Sequence, residues 1–273
     1  MKRIGLLFHP MIEESQELAR KLADTLEGLK VSAWVVSAWK EDEIRQRAGD
    51  LDLLITLGGD GTILRAARAG VPHAVPILSV NFGRLGFLAE CNPDEVEGIL
   101  PDLLAGHFWL EERMMLHAEH RRGGEKIGIY EALNDVVVSR GALPRLLRLE
   151  MSVDGVPTMT YFADGLIVAT PTASTAYSLA AGGPVVAPEL RTILVTPIAA
   201  HLTTIQSMVL PSKAEVTICP HTNHSGLLTI DGQIDVEVQD SDQISVTASE
   251  HICRFVRRQS ASYFYRTLGE RLR

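Results

Sequence analysis

"LDLLITLGGDGTILRAARAG", residues 51–70, decides the fold. Leu51–Leu57 is almost wholly apolar and reads as a buried strand. It runs into Gly58, Gly59, Asp60, Gly61 and Thr62, and "TILRAARAG" (62–70) then reads as a helix closing on Gly70. A nearly all-apolar strand feeding directly into a helix signals a parallel sheet covered on both faces. In such sheets ligands bind beyond the carboxyl ends of the strands. Glycines let backbone N–H groups approach a phosphate closely, and the helix N-terminus adds a partial positive charge. Asp60 is the discordant residue, because a carboxylate repels phosphate. Two roles accommodate it: holding a divalent metal that bridges phosphates, or taking a proton from an attacking hydroxyl. A tight strand-to-helix turn with Asp60 as N-cap is the alternative. The pattern is neither G-x-x-x-x-G-K-S/T nor G-x-G-x-x-G, so a Walker-type NTPase and an ordinary Rossmann dehydrogenase are both unsupported.

The same alternation extends to both sides of this stretch. Residues 3–9, 31–38 and 76–83 read as further strands, and 13–29, 41–49 and 93–106 as helices. Leu18, Leu22, Leu26 and Leu29 give the first helix its apolar face, and Pro101 is expected to break the last. After residue 110 the pattern becomes β-rich, with alternating or β-branched runs at 113–122, 126–140, 146–170, 214–220, 226–238 and 242–258. Asp154-Gly155 and Asp231-Gly232 supply turns between them. A helical insertion is expected at 174–183, and 262–273 reads as an amphipathic helix. The expected fold class is therefore an α/β N-terminal domain with a parallel sheet (1–110) and a β-rich, sandwich-like domain (111–255). A C-terminal segment (256–273) forms a helix that packs back on the first domain.

Composition narrows the function. The 273 residues carry Lys+Arg 26 against Asp+Glu 34, a net charge of −8, which argues against a general nucleic-acid binder. Three cysteines, Cys91, Cys219 and Cys253, make no disulfide framework and point to a reducing, cytoplasmic setting. The N-terminus lacks a signal-peptide core, and no apolar run reaches the length of a membrane span.

Three more segments carry chemistry. "NFGRLGFLAE" (81–90) follows the fourth strand, and Phe87 and Leu88 offer an apolar shelf for a base or a core contact. "NDVVVSR" (134–140) places Asn134 beside Asp135, an amide and a carboxylate able to read a base edge and a ribose diol, or to form an Asx turn. "ADGLIVATPTASTAYSLAAGGPV" (163–185) combines a β-branched strand with small and hydroxyl residues and the ring of Tyr177 as a stacking face, suited to a flat ligand or to tight packing. Cys219, His221 and His224 have loose metal-ligand spacing without an evident fourth ligand and read as a loop. His9, His117 and His120 read as structural.

Together "LGGDGTIL", "NFGRLGFL", "LNDVVV", "DGLIVATPTASTAYSLAAGGPVVAP" and "IDGQ" resemble the NAD kinases in order and spacing over nearly the whole chain. The GGDGT turn alone is also similar to that of lipid kinases; the 164–184 segment makes the resemblance specific. It implies transfer of the ATP γ-phosphoryl group to the 2′-hydroxyl of the adenosine ribose of NAD, with Mg²⁺ as the usual divalent metal. Asp60 then matches the general base, Gly58, Gly59, Gly61 and Thr62 the phosphate turn, and Asp60, Gly61 and Arg65 contact nucleotide. Phe87, Asn134, Asp135, Arg145 and Asp164 match dinucleotide contacts, as do Thr175, Ala176, Tyr177, Ser178, Leu179, Ala180 and Gln233. The resemblance further implies a homodimer or homotetramer. Ala173 stands where the family has glycine, which an alanine tolerates only at negative φ. Ala180 replaces a serine, and Phe162 stands where some relatives carry a cation. A non-catalytic NAD-binding regulator or a lipid-kinase-like GGDGT enzyme are the competing functions.

Overall fold

The computed structural model describes residues 1–83, 86–141, 146–201, 207–260 and 262–271, and the chain divides into two units, Met1–Glu112 with His251–Arg273, and Arg113–Glu250. The first unit opens with β1 (Arg3–Phe8), α1 (Glu13–Gly28), β2 (Ser32–Ser37), α2 (Glu41–Ala48), β3 (Leu53–Gly58), α3 (Asp60–Gly70), β4 (Ile77–Asn81) and α4 (Val96–Ala105). These strands are parallel in the order β2-β1-β3-β4. The winding reverses between β1 and β3, which makes their carboxyl ends the switch point where α/β sheets bind ligands.

Strand β3 is buried along its whole length. Leu53, Ile55 and Leu57 face a cluster that includes Leu22 and Leu26 of α1 and Ile99, Leu100 and Leu103 of α4. Leu54 points the other way, toward α3, where a Cβ on Gly70 would fall 2.7 Å from Leu54 Cδ1. Two covered faces leave no position for a polar residue, hence the near-continuous apolar run.

Helix α4 corrects one expectation: it continues through Pro101. Val96, Ile99, Leu100 and Leu103 are buried at helical spacing while Pro101 faces solvent. Burial of that stripe outweighs the one hydrogen bond that proline forfeits. Gly106, at φ 83°, closes the helix in the left-handed conformation.

The chain continues through β5 (Trp109–Arg122), β6 (Glu125–Ala132), β7 (Asp135–Arg140), β8 (Leu147–Val153), β9 (Val156–Ala163) and β10 (Gly165–Ala169). After β10 come a 3-10 turn (Pro171–Thr175), α5 (Tyr177–Ala180), β11 (Thr192–Ile198) and β12 (Met208–Pro211). Then follow β13 (Val216–His221), β14 (Gly226–Ile230), β15 (Ile234–Val238) and β16 (Gln243–Arg257). Residues 109–112 of β5 and 251–257 of β16 belong to the first unit, where Phe255 joins the sheet parallel to Ile77 of β4.

The second unit is a pair of antiparallel sheets. One has the order β12-β11-β10-β7-β14-β15; in the other β9, β8 and β13 join residues 244–246 of β16. Val136, Val138, Leu166 and Val168 from the first sheet meet Leu149, Met151, Tyr161, Val216 and Val246 from the second in one buried core. On the opposite face of the first sheet, Val137, Ile167, Ala169 and Leu194 are covered by Ala173, Ala181 and Val186. Strands β7, β10 and β11 are therefore apolar on both sides. Strands β11 and β12 were not among the expected elements. Asp154-Gly155 and Asp231-Gly232 form the hairpin turns with both residues at positive φ.

The expected helix over 174–183 is also corrected. It is a 3-10 turn and a four-residue helix, broken at Ala176 (φ −109°, ψ −129°). Ser174 Oγ bonds the backbone of Val186 and Ser178 Oγ bonds Thr196 Oγ1 at 3.0 Å, so these hydroxyls tie the segment to its surroundings instead of to a helix. The C-terminal α6 (Tyr263–Arg271) lies in the first unit, with the Phe264 ring 5.7 Å from that of Phe87. Among the described residues no helix is long and apolar enough to cross a membrane.

Candidate functional site

In the first unit the site is built on the switch point. The His9 N–H donates to the Leu57 carbonyl at 3.0 Å, bringing the end of β1 beside the turn after β3. A Cβ on Gly58 would fall 2.2 Å from Thr62 Oγ1 and 3.2 Å from His9 Cβ, so this position admits only glycine. Gly59 is the N-cap of α3, in extended conformation, and Asp60 is the first helical residue. Asp60 is therefore not the N-cap, which is a glycine and offers no side-chain cap. Its carboxylate lies against Gly86, where a Cβ would fall 2.7 Å from Oδ1 and 3.0 Å from Oδ2. Thr62 is buried, and its Oγ1 has no hydrogen-bond partner among the described residues.

One turn into α3 the cations are already engaged. Arg65 Nη1 donates to Glu41 Oε1 at 2.6 Å, and its guanidinium lies over the Trp39 ring, 4.6 Å from the centroid. Arg68 Nη2 donates to the same oxygen at 3.0 Å. His9 meets Trp39 edge-on at 4.5 Å between ring centroids. Glu41 and Trp39 went unread in the sequence, because they follow β2 and meet α3 only in the folded chain; His9, read as structural, follows β1.

In the second unit Asn134, Asp135, Val137, Ser139, Ala176, Tyr177, Thr229, Asp231 and Gly232 line a cavity of about 380 Å³. Asp135 opens β7 and Asn134 precedes it; Thr170, just after β10, accepts from the Ala173 N–H and donates to the Leu133 carbonyl at 2.7 Å. This anchors the turn that presents Ala176 and Tyr177. Buried Arg113 donates to Thr172 Oγ1 at 3.2 Å within the same turn.

Asp231 is the floor of the cavity. Its carboxylate accepts the backbone N–H groups of Leu133 (3.1 Å), Asn134 (2.7 Å) and Asp135 (3.1 Å). In the sequence Asp231-Gly232 signals a turn only; the separation of almost a hundred residues hides its second role. Burial, and after it the Asp231 charge, push the Asp135 carboxyl up to about 7.

The remaining expected residues are placed as follows. Asp164 accepts from Arg140 Nε at 2.8 Å. Thr175, Leu179 and Ala180 flank Tyr177, which is 47% exposed, while Ser178 is buried. The Gln233 N–H closes the turn onto Ile230 O at 2.9 Å. Arg145 lies outside the described residues. Ala173 does not adopt positive φ, so alanine is unstrained there. His120 bonds Asp242 at 2.8 Å, both fully buried, and His117 bonds Glu131 at 2.7 Å. Among the described residues no three His, Cys, Asp or Glu side chains gather as metal ligands.

Comparison with known proteins defines the class. The ATP-NAD kinase N-terminal domain profile matches residues 6–108 and the ATP-NAD kinase C-terminal domain profile residues 133–258. The chain is similar to an NAD kinase of Chloroflexus aurantiacus, 42% identical over 100% of this chain and 99% of the relative. An NAD kinase of Dehalococcoides mccartyi is 40% identical over 100% of this chain and 96% of the relative. Among solved structures, yeast NADH kinase complexed with NADH superposes with TM-score 0.88 at 26% identity, covering 99% of this chain and 87% of that one. An NAD kinase from Archaeoglobus fulgidus shares the fold with TM-score 0.80 at 24% identity, covering 99% and 98%. The protein is thus a phosphotransferase. The chain belongs to the NAD kinase family.

Proposed function

We propose that this chain transfers the γ-phosphoryl group of ATP to the 2′-hydroxyl of the adenosine ribose of NAD, giving NADP, with Asp60 as general base. The observation that carries the reading is Asp60 itself. It is a carboxylate one residue past the N-cap, set at the sheet's switch point against a glycine. The family profiles, which name ATP and NAD, support the two substrates.

Phosphoryl transfer asks the protein for alignment and charge neutralisation more than for covalent help. The glycine turn at 58–61 offers backbone N–H groups to the donor's phosphates at the positive end of α3. Asp60 accepts the hydroxyl proton as the new P–O bond forms. Asn134 and Asp135 hold adenine and ribose; Thr175 to Ala180, Phe87 and Gln233 line the dinucleotide, and Asp164 reaches its nicotinamide side. Arg65, fixed by Glu41 and Trp39, adds positive potential beside the turn.

The donor set fits a metal carried by nucleotide. A single carboxylate, Asp60, stands at the turn, which suits Mg²⁺ bound mainly through substrate phosphates and water. Such an ion supplies charge neutralisation on the transferred group. The exposed side chains of Val156 and Phe162 along the edge strand β9 support assembly into a homodimer or homotetramer. The working compartment is the cytoplasm.

Incubating the purified chain with NAD, ATP and Mg²⁺ and measuring NADP enzymatically tests this reading. NADP formation that requires ATP is expected. NAD binding without NADP from any donor would instead favour the regulator.

A further inference from the structure

Asp135 holds a position that its neighbours do not explain. Asp135 is only 6% exposed and lines the cavity, and burial and the Asp231 charge, with no hydrogen bond among them, act on its carboxyl. Leaving a buried carboxylate in that condition is costly, and the cost falls if the group carries a proton or meets donors. Asp231, beside it, is placed differently: its carboxylate accepts hydrogen bonds from three backbone N–H groups.

Among the described residues the groups facing Asp135 include no cation to counter that charge. Asp231 sits on the β14–β15 turn, and Tyr177 on α5 lines the same cavity. Asp235 of β15 accepts from Thr229 Oγ1 at 2.8 Å. Farther along β7, Arg140 is bound to Asp164; under the 171–175 turn, Arg113 is bound to Thr172. Among the described residues no Lys, Arg or His lines the cavity. With its carboxyl raised to about 7, Asp135 is largely protonated in mildly acidic solution.

A ribose changes this balance. Its vicinal hydroxyls are two adjacent donors, and an ionised carboxylate is acceptor-only at both oxygens. We propose that binding of the dinucleotide in this cavity expels the proton from Asp135, whose carboxylate then accepts a hydrogen bond from a ribose hydroxyl other than the one whose proton goes to Asp60. The inference rests on NAD being the ligand of the cavity. The balance is simple: one O–H bond of Asp135 breaks, the proton passes to buffer, and no other group changes. NAD affinity therefore rises with pH up to about 7 and then levels.

Calorimetric titration of the full chain with NAD, at pH 6 and pH 8 and in two buffers of different ionisation heat, measures the proton directly. The expected release is about 0.9 proton per site at pH 6 and about 0.1 at pH 8, with Kd about tenfold weaker at pH 6. In Asp135→Asn both effects vanish. The unmodified chain provides an independent readout: adenosine releases the proton and 2′,3′-dideoxyadenosine does not. NAD bound at pH 6 without proton release would overturn the inference while leaving NAD as ligand. So would unchanged release in Asp135→Asn, or equal release with the dideoxy nucleoside. Absence of NAD binding at both pH values would overturn the ligand assignment itself.

Discussion

Gly86 stands against Asp60 so closely that a Cβ on it would fall 2.7 Å from Asp60 Oδ1. The atoms it would meet are the outer end of a side chain, not backbone. A methyl group at 86 therefore moves the carboxylate and spares the fold. Gly86→Ala is expected to leave stability within about 0.5 kcal/mol and to lower kcat at least about tenfold through misplacement of the base. Thermal unfolding together with steady-state kinetics checks both. A lowered Tm with unchanged kcat would mean that the contact serves packing alone.

Glu41 ties two arginines of α3 to the segment after β2. Arg68 is nearly inaccessible, its side chain 5% exposed, and it shares Glu41 Oε1 with Arg65. Glu41→Gln retains the shape and removes the charge. It is expected to cost about 1–2 kcal/mol in urea unfolding, the usual scale for a hydrogen bond to a charged group. Arg65→Ala should cost less, because Arg68 keeps its partner.

Most of the first unit could be read from the sequence, since the signals there are local. β3 and α3 follow from an apolar run, three glycines and a helical stripe within twenty residues. Pro101 misled because a proline's effect is local while the burial of Ile99, Leu100 and Leu103 against the sheet is not. In the second unit β11 escaped notice because it is buried on both faces and lacks alternation, with Val195 facing the sandwich core and Leu194 the opposite side. The segment 171–180 misread as one helix because its hydroxyls find partners far away in sequence, at Val186 and Thr196. Asp60, Gly86, Asn134 and Asp135 stood out by motif; Asp231 was legible only as a turn residue, because its bonds to the backbone of 133–135 exist only once distant chain comes together.

Ala173 tests the reading of its own backbone. It is fully buried and does not take positive φ, so glycine brings only a freer unfolded chain and a lost methyl contact. Ala173→Gly is expected to lower stability by about 0.5–1 kcal/mol without raising activity. A stabilised variant would contradict the negative φ.

The free protein should also show Asp135 in its pH–stability profile. A carboxyl raised above its unfolded value contributes stability that is complete below about 4 and fades as pH rises through about 7. Relative to Asp135→Asn, the unmodified chain should lose Tm between pH 5 and pH 8, and saturating NAD should reverse the trend. A difference that is flat across this range would contradict a protonated Asp135.

The general-base role of Asp60 is tested most directly by comparing NADP formation and NAD binding in Asp60→Asn and the unmodified chain. The amide retains the size of the carboxylate beside Gly86 and cannot accept the proton. Loss of turnover with NAD affinity largely intact, unrelieved by raising Mg²⁺, is the predicted result. Near-normal turnover in the variant would contradict it, and partial recovery at high Mg²⁺ would assign Asp60 to the metal in place of the proton.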